Sequence, residues 1–487
     1  MELRQRLLLS VALLGAALGQ VAHGAAITAP LAQLTQLRSA GAAVSAVVRD
    51  LDSGTTLAEL QPHDRLTPAS LSKIFVAAGA LATWPPDKTF HTELRAATLP
   101  REGTLHSDVV LRGSGDSTLD EQSLWSLAAQ LRGLGVRRIT GNVLVERAPF
   151  GEMHCDTVDR CASRRRSSRA FNSAPSAIGV NYGSWCLAVR PTRLGQPALL
   201  RSCGAVVMPI PIEGQILTVA SGGSLRIDRD TNAAGDLLRV SGTIPVGDER
   251  QIHRAMSDPA LGAGLLLRSI LTQLGLVVSG TVETTAGLVA NATEQLAFIE
   301  GLSLQEQVAR MMRYSNNYIA DVLTMSIAVE REGPAPRTVV EAGAALGRLW
   351  RNPGAATNDT GPQLHSGSGL TTGNRVSAAD LIAVLEREYR DTRRFPLFYG
   401  ALVVPRDAPF AFLREGSADW LDRVALKTGT LSEPVSVCGI AGYLRKKNGG
   451  WMSFAIIVNG TQRMPDVPLD RSLRAMRADL EWILAAY

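Results

Sequence analysis

The sequence predicts an α+β fold: one antiparallel sheet built from both ends of the chain and flanked by helices, with a large insertion between the two halves. Three observations carry this. Strand patterns cluster at two distant places, 44–59 and 423–458. Helical texture fills 304–329 and 378–390 and closes the chain over 471–486. From about 90 to 290 the texture changes to short strands, two separate helices and frequent Gly and Pro.

At the start, Arg4 and Arg6 precede an apolar run over 7–18, and Ala22 and Gly24 supply small residues beyond it. This reads as a secretory signal peptide, residues 1–24, cut after Gly24. The run is too short to span a bilayer, and no later segment approaches that length. The expectation is an exported, soluble, periplasmic protein, with room only for peripheral contact at a membrane surface. A short helix over 33–39 follows, then strands over 44–50 and 55–59 joined through Asp52-Ser53-Gly54. Thr67 is the expected N-cap of the next helix, with Pro68 at its first position and Pro85-Pro86 ending it.

In the middle section the strands predicted first are 92–96 and 109–112, and Gly113-Ser114-Gly115-Asp116 makes a tight turn. A helix over 121–134 ends at Gly135 and leads to a strand over 141–145. Between 183 and 247 only β-type patches occur, at 206–209, 216–219 and 237–244. A helix over 259–274, capped by Ser257 and ended by Gly275, leads to a strand around 277–283. The two helix–Gly–strand passages look loosely alike, with registers that differ by one residue.

Helices return at 304–312 and 318–329, interrupted by Tyr314-Ser315-Asn316-Asn317. The helix over 378–390 opens on Ser377 and Asp380, which form a capping-box pattern. Strands over 423–428, 435–444 and 451–458 precede the last helix, whose Leu473, Met476, Leu480, Ile483 and Leu484 keep a 3.6-residue repeat. The domain boundaries this implies are 25–90 and 291–487 for the two catalytic parts and 91–290 for the inserted domain.

A net charge of +5 is mildly basic, and its one dense cluster is Arg164-Arg165-Arg166 with Arg169. No aromatic interleaving or recognition module accompanies it, so a nucleic-acid partner is not expected. The five cysteines suit an oxidising compartment. Cys155 with Cys161 and Cys186 with Cys203 are the local pairs, one of three connectivities open to four cysteines. Cys438 is left over in an apolar strand pattern and reads as a buried inert thiol. His154-Cys155 fits no zinc spacing, and neither metal nor cofactor is expected.

The chemistry is concentrated in three short signals in chain order: Ser70-x-x-Lys73, Ser315-x-Asn317 and Lys427-Thr428-Gly429. Ser70 and Lys73 share one face of a helical turn, so a hydroxyl lies beside an amine. Burial that keeps the amine neutral would let it take the hydroxyl's proton. Each signal is weak alone. Together, in this order, they resemble the signature set of serine penicillin-recognising enzymes.

The long interval between Ser70 and Ser315 narrows the resemblance to the class C, low-molecular-mass penicillin-binding proteins, the D-alanyl-D-alanine carboxypeptidase/endopeptidases of the penicillin-binding protein 4 type. Passages at 113–119, 139–143, 172–177, 315–321 and 367–370 are similar to the same family. The resemblance implies a penicillin-binding protein/β-lactamase-like transpeptidase fold. It also implies a third, β-rich domain nested in the insertion, for which 183–247 is the candidate. It implies Ser70 as nucleophile, Lys73 as base, Ser315 as proton relay and Asn317 as holder of the substrate amide. Lys427 and Thr428 would then draw in the terminal carboxylate, and Gly429 would let the substrate approach the strand. The N–H groups of Ser70 and Thr430 would form the oxyanion hole. The partners implied are peptidoglycan stem peptides and β-lactams.

Two departures concern the side-chain pocket. Thr371 and Thr372 stand where many relatives carry an Arg, the nearest here being Arg375. The stretch 163–169 is basic where some relatives have an acid that helps bind a diaminopimelate side chain. Alternatives of other kinds are a β-lactamase of unusual size and a catalytically silent wall-binding relative.

Overall fold

In the computed structural model, which describes residues 31–333, 338–351 and 361–487, both ends of the chain meet in one five-stranded sheet. Its order is Val424–Leu431, Val437–Arg445, Trp451–Asn459, Ala43–Asp50, Thr56–Leu60, and every neighbouring pair is antiparallel. The signal-peptide reading of 1–24 lies outside the described residues.

The three strands nearest the C-terminus are buried almost without a break, because both faces of the sheet are covered. Side chains alternate between the faces. Ala455 and Ile457 pack with the helices Ser72–Thr83, Leu304–Tyr314 and Ala378–Arg390. Phe454, Ile456 and Val458 pack with Ala32–Ser39 and the closing helix Leu469–Ala486. A one-residue slip would exchange these two sets, so the register is held from both sides.

The section between the halves begins and ends on paired strands: Thr89–Ala96 runs antiparallel to Glu294–Ser303. These belong to a second five-stranded sheet with Val109–Gly113, Val143–Glu146 and Val282–Thr285. The two similar helix–Gly–strand passages are neighbours in space. Arg138–Ile139 and Val277–Val278 pair in parallel, as do Val143–Glu146 and Val282–Thr285. Between them, a three-stranded sheet and a four-stranded sheet span Ser184 to Ala255. Their Trp185, Leu187, Ile227 and Val240 join the same apolar cluster as Leu94, Leu127 and Leu267, so this section has one continuous core.

Several local expectations are corrected. Thr67 does not cap the nucleophile helix; its hydroxyl donates to the Thr372 carbonyl and accepts from Arg375. Ala69 takes a left-handed φ of 48°, so the chain enters through a 3-10 turn, Ala69–Leu71, before the α-helix Ser72–Thr83. Asp258, not Ser257, caps Pro259–Gln273, accepting from the N–H groups of Ala260 and Leu261. Residues 206–209 are not a strand. Disulfides join Cys155 to Cys161 and Cys186 to Cys203, and Cys438 is a buried free thiol.

Candidate active site

The site gathers where the nucleophile turn meets the sheet edge. A Cβ on Gly429 would lie 2.5 Å from the Pro68 carbonyl oxygen, so this glycine lets the strand Val424–Leu431 close against the turn. Gly369 does the same from the opposite side. Its φ is 75°, and a Cβ there would lie 1.9 Å from the Ala69 carbonyl oxygen. Ser70 in the 3-10 turn and Lys73 in the first turn of the α-helix are three residues apart, which puts them on one face.

Lys73 is fully buried, and its Nζ has three partners: Ser70 Oγ at 2.8 Å, Asn317 Oδ1 at 2.8 Å and the Ser368 carbonyl at 2.7 Å. Two of these only accept, whereas the hydroxyl can also donate. A neutral amine therefore spends its two N–H groups on the amide and the carbonyl and turns its lone pair to Ser70. Burial lowers the Lys73 pKa to about 7; Asp321 pulls it back up and Arg160 pushes it further down. Near neutral pH both protonation states are populated.

Ser315 ends the helix Leu304–Tyr314 in a left-handed conformation, and Asn316 caps the helix Asn317–Glu332 through the Ile319 N–H. This junction aims Ser315 and Asn317 into the site. Lys427 Nζ donates to Ser315 Oγ at 2.9 Å and to the Thr428 carbonyl at 2.7 Å. Burial holds its pKa well below the usual lysine value, and the nearby Lys73 charge acts in the same direction. Asn317 Nδ2 donates to the Phe171 carbonyl at 3.1 Å, which ties the site to the inserted section.

Ser70, Lys73, Asn317, Ser315 and Lys427 thus form one neighbourhood. Thr428 enters it through its backbone carbonyl. Ser70, Asn317 and Thr430 line a groove of about 1170 Å³, roomier than an ordinary small-ligand pocket.

Other residues of the site had no role assigned from the sequence. Arg160 Nη2 donates to Asp321 Oδ2 at 2.6 Å with both side chains buried. Asp321 Oδ1 accepts from the Ser368 N–H at 2.9 Å, and it is the Ser368 carbonyl that holds Lys73. Asp159 accepts from the Thr372 N–H and from the hydroxyls of Thr371 and Thr372. Burial pushes its carboxyl up, but these hydrogen bonds prevail and hold it below the usual range. Asp321 follows Asn317 by one helical turn, a spacing that could have revealed it. Arg160 and Asp159 come from the helix Val158–Arg166 of the inserted section, and no local pattern connects them to Lys73.

A three-layer fold with a serine–lysine pair beneath a sheet edge defines the class of serine acyl-transfer enzymes with a penicillin-binding protein or β-lactamase-like fold. Residues 25–476 match the model of the D-Ala-D-Ala carboxypeptidase 3 (S13) family, and the chain belongs to that family. It is a serine-type D-Ala-D-Ala carboxypeptidase. It is 28% identical over 436 residues to the D-alanyl-D-alanine carboxypeptidase of Actinomadura sp. (strain R39), covering 86% of this chain and 78% of the relative. It is 23% identical over 465 residues to D-alanyl-D-alanine carboxypeptidase DacB of Haemophilus influenzae, covering 91% and 92%. The crystal structure of penicillin binding protein 4 from Haemophilus influenzae superposes with a TM-score of 0.75 at 19% identity, over 93% of this chain and 99% of that one.

Proposed function

We propose that Ser70 is the nucleophile through which this carboxypeptidase cleaves peptidoglycan stem peptides ending in D-Ala-D-Ala. The observation that carries this is the triple coordination of Lys73, which leaves the amine lone pair for the Ser70 hydroxyl. Lys73 takes the hydroxyl proton as Ser70 Oγ bonds to the penultimate D-Ala carbonyl carbon. The oxyanion is held by the N–H groups of Ser70 and Thr430. The C–N bond then breaks, and the departing D-Ala amine takes a proton through Ser315, which Lys427 contacts. Water hydrolyses the ester and returns the proton. Lys427, Thr428 and Thr430 attract the terminal carboxylate, and Asn317 holds the substrate amide with its remaining N–H.

The roomy groove supports endopeptidase action on cross-linked peptides as well, and β-lactams acylate Ser70 by the same route. The protein works in the periplasm after export by its N-terminal segment. Among the described residues no helix is long and apolar enough to cross a membrane. We read 91–290 as an inserted domain with 183–247 nested in it, supported by the pairing of the section's first and last strands.

The test gives the purified protein a D-Ala-D-Ala peptide and a cross-linked muropeptide, with products identified by mass. Release of D-Ala, abolished by Ser70→Ala, is the expected result. Release that survives Ser70→Ala sinks the assignment. Rapid turnover of penicillin in place of a slow acyl-enzyme would identify a β-lactamase.

A further inference from the structure

The two small sheets between Ser184 and Ala255 join at their edges. In the first, Arg190 opposes Leu199 and Ala188 opposes Arg201. Pro197 then bridges to Leu217, which opposes Thr243 in the second sheet, and Val219 opposes Pro245. Opposed residues stand on the same face, and so do residues two apart. The inner face is used: Ala198, Ile216 and Ile244 belong to the core of this section, and Thr218 is buried beside them. The outer face is left to Arg190, Pro197, Leu199, Arg201, Leu217 and Val219. At its end stand Leu194, in the turn 193–196, and Val246, whose N–H donates to the Val219 carbonyl.

A lone exposed leucine is ordinary. Here Leu194, Val246, Leu199 and Leu217 are 64%, 55%, 51% and 37% exposed on one joined surface. The charges around them are mostly of one sign. Arg190 and Arg201 reach the same acid, Glu249, at 4.0 and 3.9 Å, the outer limit of ion pairing. Asp248 is held by Arg250 at 2.6 Å. Arg193 is exposed and in no ion pair among the described residues. An apolar centre with a basic rim repels a copy of itself, because a two-fold interface sets like patches face to face. The same surface is complementary to an anionic bilayer, where apolar groups enter the headgroup layer and cations meet lipid phosphates.

We propose that this face is a docking surface for an anionic membrane. Leu194, Leu199, Leu217 and Val246 lie in the headgroup layer, and Arg190, Arg193 and Arg201 contact phosphates. The backbone of the tip suits this. The N–H groups of Thr192, Gly195 and Gln196 donate to the Thr218 hydroxyl, the Thr218 carbonyl and the Arg193 carbonyl, so they need no water when the turn is covered. None of these residues lines the groove that contains Ser70, so the bound protein keeps its groove free of the contact. The inference does not depend on the chemistry assigned to Ser70.

The test is sedimentation of the purified protein with vesicles of phosphatidylcholine alone or with an equal part of phosphatidylglycerol. The mixed vesicles should bind it at least about tenfold more tightly, and high salt should release it. Arg190→Gln with Arg193→Gln should weaken that binding about tenfold or more, since each basic group near an anionic surface contributes roughly a fivefold factor. Leu194→Asn with Val246→Asn should weaken it by about the same factor through lost apolar contact. Leu288→Asn is the control, an exposed leucine between the strands Val282–Thr285 and Glu294–Ser303, and it should change nothing. Melting temperature and hydrolysis of a soluble D-Ala-D-Ala peptide should match the unaltered protein in all three variants.

Failure to bind the mixed vesicles at low salt overturns the proposal. So does binding that survives both double replacements, or that Leu288→Asn weakens equally. Self-association that Leu194→Asn with Val246→Asn abolishes, without vesicle binding, would identify a second copy as the occupant and overturn the lipid assignment.

Discussion

Arg160 and Asp321 form a buried ion pair, Nη2 to Oδ2 at 2.6 Å, behind the lysine that contacts Ser70. The pair bridges the helix Val158–Arg166 and the helix Asn317–Glu332, which carries Asn317. Among the described residues Arg160 Nε and Nη1 have no hydrogen-bond partner, although both are buried. Such a pair adds little net stability when intact, but removing one partner strands a charge. Its electrostatic effect on Lys73 has two opposed parts, Asp321 raising its pKa and Arg160 lowering it.

Opposite pH shifts follow for the two partners. In the proposed mechanism acylation needs neutral Lys73, so the rate of penicillin labelling should rise with pH through about 7. Arg160→Met removes a positive neighbour, which should move this limb to higher pH and slow labelling at neutrality. Asp321→Asn removes a negative neighbour and should move the limb lower. Each change should cost about 3 kcal/mol in urea unfolding. Shifts in the same direction would show that the pair acts only through packing.

The lysine's burial also makes stability depend on pH. Its folded-state value of about 7 lies below its ordinary value of 10.5. Between these values the unfolded chain holds the extra proton, so raising the pH across this window favours the folded state. The cost is fully present below about 7 and gone above 10.5. Lys73→Met lacks this dependence. The melting temperature of the unaltered protein should therefore gain on that of the variant from about pH 7 to 10, while the variant forms no acyl-enzyme. Parallel melting curves would mean that the amine titrates normally.

The side chains gathered in the candidate site were legible because each sits in a short segment whose spacing survives folding: Ser70 with Lys73 in one turn, Ser315 with Asn317 at one helix junction. The helix Ala378–Arg390 and its Ser377–Asp380 capping box were legible for the same reason. Arg160 was not, because its partner lies in another part of the fold and nothing local requires an arginine there. Thr67 misled because the left-handed Ala69 interposes a turn between the best capping residue and the helix. At the other misread cap, two adequate residues stood side by side, and Ser257 donates its N–H to Asp236 instead. Strands such as Leu225–Asn232 were missed because they are largely exposed and polar, which leaves no alternation to detect.

The disulfide between Cys155 and Cys161 joins residues that flank Arg160 and Asp159. Its loop is short, so replacing both cysteines with Ser should cost only about 2 kcal/mol by the loop-entropy relation. The functional effect should be larger than that cost implies, because the helix Val158–Arg166 carries both groups that reach the core. Labelling by fluorescent penicillin should slow, and its pH limb should move upward as it does in Arg160→Met. A variant that melts earlier yet keeps the unaltered pH profile would show that Arg160 holds its place without the disulfide.

Gly429 offers the sharpest steric test. A methyl group there would meet the Pro68 carbonyl oxygen at 2.5 Å and the Leu71 nitrogen at 3.1 Å, both of them backbone atoms with little freedom to yield. Gly429→Ala must therefore push the strand away from the nucleophile turn, at about 1–3 kcal/mol of stability. Lys427 and Thr430 move with that strand, so acylation should fall by an order of magnitude or more even where the protein remains folded. Gly400 is the control. It lies in the helix Phe395–Ala401, and a methyl group added there would have nothing within 4 Å of it, so Gly400→Ala should raise stability by about 0.5–1 kcal/mol and leave labelling unchanged. If Gly429→Ala labels at the unaltered rate, the strand has slack at this position, and the close fit of strand to turn is not what sets the distance between Lys427 and Ser70.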